Sequence, residues 1–469
     1  MTKLADALLI LNILILAYFI IVNGFYLILI LLSYLAIIKH NRLIQFEQWR
    51  RVIQSPRSVP ISIISPAYNE EVTIVNSVKS LLALQYGSFE VIVVNDGSKD
   101  STLQVLKDAF ELHVIPVSIE EKVKCREIMG IYRSPVNREL VVVDKRNGGK
   151  ADALNAGINV SRYPIFCAID ADSVVESEAF LRITRPFLEK PHTTAAIGGI
   201  VRVANGCNIE DGYVRRVDLP KNWLALIQTV EYLRAFLFGR TGLAMLGGLL
   251  IISGAFGVFR KSTVIEVGGY ANDTVGEDME LVTRLHHLLR KTGQKYEISF
   301  IPDSICWSEV PESLKILARQ RNRWQRGLMD SLIRHREMFF NLKYGAIGMI
   351  VFPYFFLFEM LGPVVELLGY IIVPLSFAFG QLNIQFFLLF LSLAILLGVV
   401  ISTASVVLDE LSFKRYPDIH DLIKLILAAI LENFGYRQLH TWWRFTGIID
   451  YLRKKQSWGG MVRKGFNKG

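Results

Sequence analysis

The sequence predicts an α/β domain with a mostly parallel sheet and helices on both faces, joined to transmembrane and interfacial helices. Between residues 60 and 300, short β-branched runs alternate with amphipathic stretches, the pattern of a parallel sheet covered by helices. Apolar runs long enough to cross a membrane flank this region. Because 52% of the residues are hydrophobic and 20% are still charged, the chain is neither a purely soluble protein nor all membrane.

The first apolar run, residues 7–38, is longer than one span and short for two, so it predicts one long, tilted helix. It is too long for a secretory signal and lacks a small-residue cleavage site. Basic residues at 39–42 follow it, which places this end in the cytoplasm. Residues 43–58 predict an interfacial helix, and 1–58 are expected to form an N-terminal membrane segment.

The central region, residues 59–344, is expected to be one cytoplasmic domain. The glycine-rich run at 241–259 reaches span length, but Arg260 and Lys261 follow it at once, so we expect a buried strand and loop there. Ligands of parallel sheets bind at the carboxyl ends of the strands. The predicted strands are 61–65, 89–94, 140–143, 165–169 and 195–201, and the predicted helices are 70–83, 101–110, 150–160 and 176–188.

The C-terminal part is apolar again at 345–408, with a shorter run at 422–434. The basic tail, 437–469, is expected in the cytoplasm, which requires an even number of crossings. Four crossings within 345–436 are favoured over two crossings with an interfacial helix.

The net charge of +9 can indicate nucleic acid, anionic lipid or an anionic substrate. Cytoplasmic lysines and arginines of a membrane protein explain much of it, so we expect membrane lipids and no nucleic acid as partners. The four cysteines lack metal-binding spacing and are predicted to be reduced thiols. His286 and His287 lie in an amphipathic stretch and are predicted to be structural.

Polar turns follow the first two predicted strands. Asn69 and Glu70 follow the first, and an Asn-Asp-Gly-Ser turn containing Asp96 follows the second. A turn that opens a helix places backbone N–H groups and a carboxylate near a ligand, although helix capping alone explains each turn separately. Two such turns on successive parallel strands predict a nucleotide pocket.

The next strand leads into Asp144, a Gly148-Gly149 turn and two lysines, Lys145 and Lys150. The glycines allow close backbone approach, and both lysines are expected to meet phosphate charge. The spacing of a Walker P-loop is absent.

Asp170 and Asp172 follow an apolar strand directly. At a strand-like end, alternate residues point the same way, and a cation relieves the repulsion between two converging carboxylates. The pair therefore predicts a Mg²⁺ or Mn²⁺ ion bridging a diphosphate, with a capped turn as the alternative.

Glu277 and Asp278 open a predicted helix. A carboxylate at this position can act as a general base toward a hydroxyl group, and helix capping is the competing explanation.

The stretch 319–327 carries four arginines, two glutamines and a tryptophan before the apolar C-terminal region. It predicts a binding site for an anionic group at a membrane surface, and a basic surface helix is the alternative. Arginine suits phosphate oxygens. Arg319, Arg321 and Arg326 are expected to meet lipid headgroups.

These motifs, in this order, resemble the processive inverting glycosyltransferases of family 2, which include cellulose, hyaluronan, chitin and poly-N-acetylglucosamine synthases. The resemblance covers about 60–330 and the flanking spans. It implies a GT-A-like fold and a multi-pass plasma-membrane enzyme that polymerises a UDP-sugar at its cytoplasmic face. UDP-N-acetylglucosamine is favoured over UDP-glucose as the donor. The implied partners are the nascent polysaccharide, which leaves through the enzyme's own helices, and accessory secretion subunits.

The resemblance also implies roles for single residues. Asp278, beside Glu277, would be the general base, and Asp172 with Asp170 would hold the cation. Other residues would line the UDP-sugar, with Asp96 on the uridine side: Asn69, Glu70, Asp96, Asp144, Lys150 and Asp170. A further set would bind the acceptor sugar and the diphosphate side: Gln320, Arg323, Trp324, Glu231, Tyr232, Ser253 and Gly254.

One departure concerns gating. No cellulose-type F-x-V-T-x-K loop is found, but the segment 457–463 is similar to the tryptophan-containing loop of hyaluronan-type synthases. The resemblance implies that it closes over the nucleotide with Arg463 near phosphate. An interfacial anchor is the alternative.

Two other functions fit parts of the sequence. A non-processive transferase that glycosylates a lipid carrier would share the nucleotide half, but the 319–327 stretch argues against it. A non-catalytic membrane transporter or partner subunit is disfavoured because carboxylates are present at all the motif positions.

Overall fold

The computed structural model describes residues 2–45, 58–210, 212–380, 384–416 and 418–455. They divide into two compact units. The sheet unit consists of the described parts of Lys39–Lys221 and Leu246–Val310, and the helical unit consists of the described parts of Met1–Ile38, Asn222–Met245 and Pro311–Gly459. The domain limits given above stay predictions.

The strands, in chain order, are β1 (Ile61–Ala67), β2 (Phe89–Asp96), β3 (His113–Val114), β4 (Ile128–Arg133), β5 (Leu140–Lys145), β6 (Ile165–Ala168), β7 (Val174–Val175), β8 (Thr194–Val203), β9 (Asn208–Glu210), β10 (Tyr213–Arg216), β11 (Gly257–Arg260) and β12 (Glu297–Ser308). The five predicted strands are all present.

Within the described residues, ten strands form one sheet in the order β3-β4-β5-β2-β1-β6-β11-β8-β12-β7. The centre, from β5 through β2 and β1 to β6, is parallel, whereas β4 and β11 run antiparallel to their neighbours. The predicted mostly parallel α/β fold is confirmed. The central strands are buried along their length because helices cover parallel sheets on both faces.

The α-helices, in chain order, are α1 (Thr2–Gln45), α2 (Ile74–Leu82), α3 (Thr102–Phe110), α4 (Lys150–Val160), α5 (Ala179–Glu189), α6 (Trp223–Tyr232), α7 (Thr241–Met245), α8 (Lys261–Glu266), α9 (Glu277–Lys291), α10 (Leu314–Arg334), α11 (Phe352–Tyr354), α12 (Gly362–Ala378), α13 (Ile384–Phe413), α14 (Ile419–Leu431) and α15 (Tyr436–Leu452). The four predicted helices of the sheet unit correspond to α2, α3, α4 and α5.

Helix α4 lies directly on β1 because Gly157 has no side chain. A Cβ atom at this position would come within 2.3 Å of Ile64 Cγ2, an atom of the buried core. This close packing fixes the height of α4 above the sheet and therefore the place of its first residue, Lys150.

The prediction of a buried strand and loop for 241–259 is confirmed for residues 246–259, whereas 241–245 are helical. Helix α7 ends at Met245, and β11 is a buried strand that pairs with β6 and β8.

Helices with the length and hydropathy of membrane spans occur near both ends of the described chain. Asp6–Arg42 and Ile395–Phe413 are long and apolar enough to cross a membrane, and the pair Ile347–Met360 and Gly362–Ala378, bent by 45°, adds a third if it is one span. The predicted single N-terminal helix is therefore present as α1. The number of C-terminal crossings stays a prediction, and most of the predicted interfacial helix, 43–58, lies outside the described residues.

His286, in α9, makes a pH-dependent contribution to stability. Its ring is fully buried, with Nδ1 2.7 Å from Tyr296 Oη and Nε2 3.0 Å from the Leu249 carbonyl oxygen. Burial disfavours the charged ring and lowers the pKa of His286 from 6.5 to about 4. The folded-state pKa of His286 lies below the unfolded value. Its contribution to the free energy of unfolding is therefore fully present above pH 6.5 and is lost as the pH falls toward 4.

We expect this component to reach roughly 3 kcal/mol. Unfolding midpoints measured from pH 7 to pH 4 should fall less steeply for His286→Gln than for the wild type. An exposed histidine gives the control, since His192→Gln should keep the wild-type slope. An unchanged slope in His286→Gln would contradict the prediction.

Candidate active site

The polar turns after β1 and β2 are hydrogen-bonded to each other. Asn69 N donates to Ser98 Oγ at 3.0 Å, and Lys99 N donates to Asn69 Oδ1 at 2.8 Å. Asn69 has a φ of 55°, in the left-handed region that asparagine tolerates. Glu70 accepts a bond from Thr73 Oγ1 at 2.9 Å. Both predicted donor-binding residues thus shape the turns, and their contact with a donor stays a prediction.

Asp96, at the end of β2, is buried under the glycine turn. Its carboxylate accepts bonds from Gly148 N at 2.9 Å, from Gly149 N at 2.7 Å and from Lys145 Nζ at 2.6 Å. Burial raises the pKa of Asp96, and these three donors oppose the rise. Gly149 has a φ of 91°, so a side chain there would be strained. The turn therefore folds back onto Asp96.

Lys145 is not available to a phosphate, so that prediction is wrong. It has no exposed surface, and its Nζ lies 2.6 Å from Asp96 Oδ1 and 2.5 Å from Asp152 Oδ1. Asp152 also accepts bonds from Arg126 N at 3.0 Å and Asn272 Nδ2 at 3.1 Å. The Lys145 ammonium is thus paired with the carboxylates of Asp96 and Asp152, because buried ions are stable only when paired.

Two asparagines extend this network along α4. Asn155 Oδ1 accepts from Tyr270 N at 2.7 Å, and Asn155 Nδ2 donates to Tyr270 O at 3.0 Å. Asn159 Oδ1 accepts from Lys122 N and Val123 N, both at 3.0 Å. With Asp152 they form one face of α4, since residues three and four apart are neighbours on a helix. This face holds the segments around 122–126 and 270–272.

Lys150, at the start of α4, lies among three elements of the site. Its Nζ contacts Asp170 Oδ1 and lies 3.3 Å from Gly254 O and 3.8 Å from Glu277 Oε1. Burial lowers the pKa of Lys150, but the charges of Asp170 and Glu277 outweigh it and raise the pKa overall. Asp278 Oδ2 accepts a bond from Gly254 N at 3.2 Å. The structure therefore brings together the end of β6, the loop before β11 and the start of α9.

Two further candidates of the sheet unit, Ser253 and Asp144, lie close in sequence to residues around Lys150. Ser253 Oγ accepts a bond from Ala255 N at 3.3 Å, in the same loop as Gly254. Asp144 Oδ1 accepts from Asn95 Nδ2 at 2.7 Å, next to Asp96 on the neighbouring strand.

The Asp170–Asp172 pair lies in a turn rather than on a strand. Strand β6 ends at Ala168, and Ser173 N donates to Asp170 O at 3.1 Å. The strand-alternation argument for their convergence is therefore wrong. Burial raises the pKa of the Cys306 thiol most, a hydrogen bond with Ser173 opposes the rise, and the charges of Cys167, Asp170 and Asp172 add smaller rises.

The chemistry of this pair fits a hard divalent cation. Carboxylate oxygens are its preferred donors, and two carboxylates with substrate phosphates are a usual ligand set for Mg²⁺. Asp170 already contacts a cationic group, the Lys150 ammonium. Among the residues described, no group of three or more acidic, histidine or cysteine side chains is arranged to hold a metal.

The acceptor candidates from 320–324 lie on α10 in the helical unit. Gln320 is buried, Arg323 is half-buried and Trp324 is 43% exposed. Glu231, at the end of α6, accepts a bond from Arg321 Nη2 at 2.8 Å. Tyr232 is half-buried, and its ring centroid lies 5.5 Å from that of Phe236.

Two arginines of this stretch do not face lipid, contrary to the prediction. Arg321 is 1% exposed and is paired with Glu231, and Arg326 is 4% exposed, with Nη1 donating to Lys455 O at 2.6 Å. Arg319 is exposed. The segment 457–463, with Arg463, lies outside the described residues.

Comparison with known proteins identifies the sheet unit. Residues 62–268 match the profile of Glycosyl transferase family 2. The poly-beta-1,6-N-acetyl-D-glucosamine synthase of Staphylococcus aureus (strain COL) is 32% identical over 277 residues, which are 58% of this chain and 56% of that protein. The synthase of the same name from Staphylococcus epidermidis is 30% identical over 275 residues, with the same shares. The chain thus spans little more than half the length of these curated relatives.

A solved structure supports the fold. The mannosyltransferase PcManGT from Pyrobaculum calidifontis, determined in complex with GDP-Man and Mn²⁺, superposes with a TM-score of 0.52 at 15% identity. The match covers 94% of this chain and 100% of that protein. The mixed, mostly parallel sheet and the motifs at its strand ends agree with these findings: residues 62–268 form a glycosyltransferase family 2 domain, and the fold is GT-A-like.

Proposed function

We propose that this chain is a membrane-embedded, processive, inverting β-glycosyltransferase that polymerises a UDP-sugar. The observation that carries the proposal is the cluster of Lys150, Asp170, Glu277 and Asp278 in a family 2 domain. UDP-N-acetylglucosamine is the preferred donor, since the matched relatives are named poly-beta-1,6-N-acetyl-D-glucosamine synthases. UDP-glucose is the second choice.

The donor lies at the carboxyl ends of the parallel strands, where Asp96 and Asp144 flank the uridine side. Lys150 meets the diphosphate, and Asp170 with Asp172 would hold Mg²⁺ or Mn²⁺. When bound, the cation neutralises the charge that develops on the leaving diphosphate. The carboxylates of the pair and the Mn²⁺ of the solved fold relative support this assignment.

Asp278 is the general base. Its two oxygens accept bonds from Met279 N at 2.8 Å and Gly254 N at 3.2 Å, which orient the carboxylate. It takes the proton of the acceptor hydroxyl while that oxygen attacks the anomeric carbon. The bond from this carbon to the diphosphate oxygen breaks and UDP leaves. One displacement inverts the anomeric centre, so an α-linked donor gives a β-linkage.

The acceptor is bound by Gln320, Arg323 and Trp324 of α10. The indole of Trp324 gives a pyranose ring a flat apolar surface, and Arg323 gives phosphate oxygens a planar fork. The protein lies in the plasma membrane, and its catalytic domain faces the cytoplasm. The polysaccharide leaves through the membrane helices. Membrane lipids and accessory secretion subunits complete the proposed environment.

The test is UDP release by the purified full-length protein with UDP-N-acetylglucosamine, UDP-glucose, UDP-galactose and UDP-glucuronic acid, together with sizing of the product. We expect the highest rate and a long polymer with UDP-N-acetylglucosamine, and loss of activity with EDTA that Mg²⁺ or Mn²⁺ restores. A single sugar on a lipid carrier would contradict processivity. A higher rate with UDP-glucose would show that UDP-glucose, and not UDP-N-acetylglucosamine, is the preferred donor.

A further inference from the structure

Arg321 is the most deeply buried arginine of α10, with 1% of its surface exposed. Its Nε and Nη1 atoms have no hydrogen-bond partner among the residues that the structure describes. The guanidinium is therefore held by its Nη2 atom and by contacts of its flat face.

The Nη2 atom is bound to Glu231. It donates to Glu231 Oε2 at 2.8 Å, and the Tyr436 hydroxyl donates to the same oxygen at 2.8 Å. His440 Nε2 lies 3.6 Å from the other carboxylate oxygen. Burial and then the nearby arginines, Arg321 first, lower the pKa of His440 well below 6.5. His440 is therefore neutral at neutral pH, and Arg321 supplies the opposite charge.

This arrangement ties three helices together at one carboxylate, since Glu231, Arg321 and Tyr436 belong to α6, α10 and α15. An apolar cluster beside it joins the same helices. Its members are Leu317, Tyr436, Trp443, Leu224, Ile227 and Ala318.

The flat face of Arg321 covers Trp324. The guanidinium carbon lies 4.2 Å from the centroid of the indole ring, which is the geometry of a cation–π contact. Residues three apart on a helix are neighbours, and a planar guanidinium stacks on a ring where a lysine ammonium does not. Trp324 remains 43% exposed, so its side chain is accessible to a ligand.

We infer that Arg321 is a positioning residue for the acceptor site: Glu231 and Tyr436 hold its guanidinium, and the guanidinium holds the Trp324 ring in the orientation on which a pyranose ring stacks. The inference rests on the proposed function, in which Trp324 binds the acceptor. It also changes the role of Glu231, which acts through Arg321 rather than on the sugar. A ring that is fixed in advance loses less freedom on binding, so acceptor affinity is the quantity that should respond.

The test compares Arg321→Lys, Arg321→Met and Glu231→Gln in the full-length protein. Arg319→Lys is the matched control, because Arg319 is exposed on the same helix. Initial rates are measured at saturating UDP-N-acetylglucosamine with increasing β-1,6-linked N-acetylglucosamine pentasaccharide. Product length, UDP affinity and melting temperature are measured on the same samples.

Arg321→Lys keeps the charge and loses the planar face. We expect it to raise the KM for the pentasaccharide roughly threefold to tenfold and to shorten the product. The kcat at saturating acceptor and the Kd for UDP should stay within about twofold. Arg321→Met should show a larger change in the same direction, Glu231→Gln the same change, and Arg319→Lys none.

A wild-type KM and product length in Arg321→Lys would overturn the inference. A parallel loss of UDP affinity would overturn it as well, because it would indicate a general structural role.

A second measurement does not depend on the proposed activity. In protein labelled with 5-fluorotryptophan, the ¹⁹F resonance of Trp324 is assigned by its disappearance in Trp324→Phe. It should shift or broaden in Arg321→Lys and stay unchanged in Arg319→Lys. If the wild type makes no polymer and this resonance responds, the proposed function fails and the positioning role stands. An unchanged resonance refutes the positioning role whatever the activity.

Discussion

Asp278→Asn is expected to abolish polymer synthesis while UDP still binds. The amide keeps the size of the side chain and can still accept a bond from Gly254 N, so the start of α9 should be preserved. It cannot take a proton from the acceptor hydroxyl. General bases contribute about 10²- to 10⁴-fold, and we expect kcat to fall by roughly 10³-fold.

The measurement is UDP release and product sizing, with UDP affinity measured by calorimetry on the same preparation. Asp273→Asn is the control, since Asp273 is exposed on the loop that leads to the helix. It should keep wild-type activity. Normal synthesis by Asp278→Asn, together with a 10³-fold loss in Glu277→Gln, would move the base to Glu277.

Lys145→Met is expected to have the largest effect on stability. It removes the cation shared by Asp96 and Asp152, whose oxygens lie 2.6 Å and 2.5 Å from Nζ. Breaking a buried pair by removing one partner destabilises a protein by about 3–5 kcal/mol, because a buried charge is left uncompensated. For a unit of this size we expect the melting temperature to fall by on the order of 10 °C.

The double variant Lys145→Met/Asp152→Asn provides the decisive comparison. It removes one of the two uncompensated charges and should recover part of the lost melting temperature, even where the single variant fails to fold. Lys99→Met, an exposed lysine after β2, should melt like the wild type. A melting temperature unchanged by Lys145→Met would contradict the paired role.

The strands and helices that the sequence predicts are those with strong periodicity. Strand β12 escaped prediction because Pro302 and Asp303 interrupt its apolar pattern, and proline usually marks an edge or an irregularity. The structure accommodates them by a register shift between Ile301 and Ile305 opposite β8.

The site candidates came from motifs that follow strands or open helices, and the structure brings Lys150, Asp170, Gly254, Glu277 and Asp278 together as a group. What the sequence could not predict is which of two similar residues is buried. Lys145 pairs with Asp96 because the register of β2 and β5 places them opposite each other. The register of two strands depends on the tertiary fold and cannot be read from the sequence motif.

The same limit applies to Arg321. Its partner Glu231 lies 90 positions earlier in the chain, so no local pattern separates Arg321 from Arg319. A buried arginine is recognisable only once the helix that carries its counter-ion is in place.

The polar face of α4 has a consequence for biosynthesis. Asn155 is bonded to Tyr270, 115 positions later, and Asp152 to Asn272, 120 positions later. The loop at 270–272 has no strand or helix of its own to shape it, and closing so long a segment comes after local structure has formed. A chain growing on the ribosome can therefore build β1, β2, β5 and α4 early. It completes the network around α4 only after Asn272 has emerged.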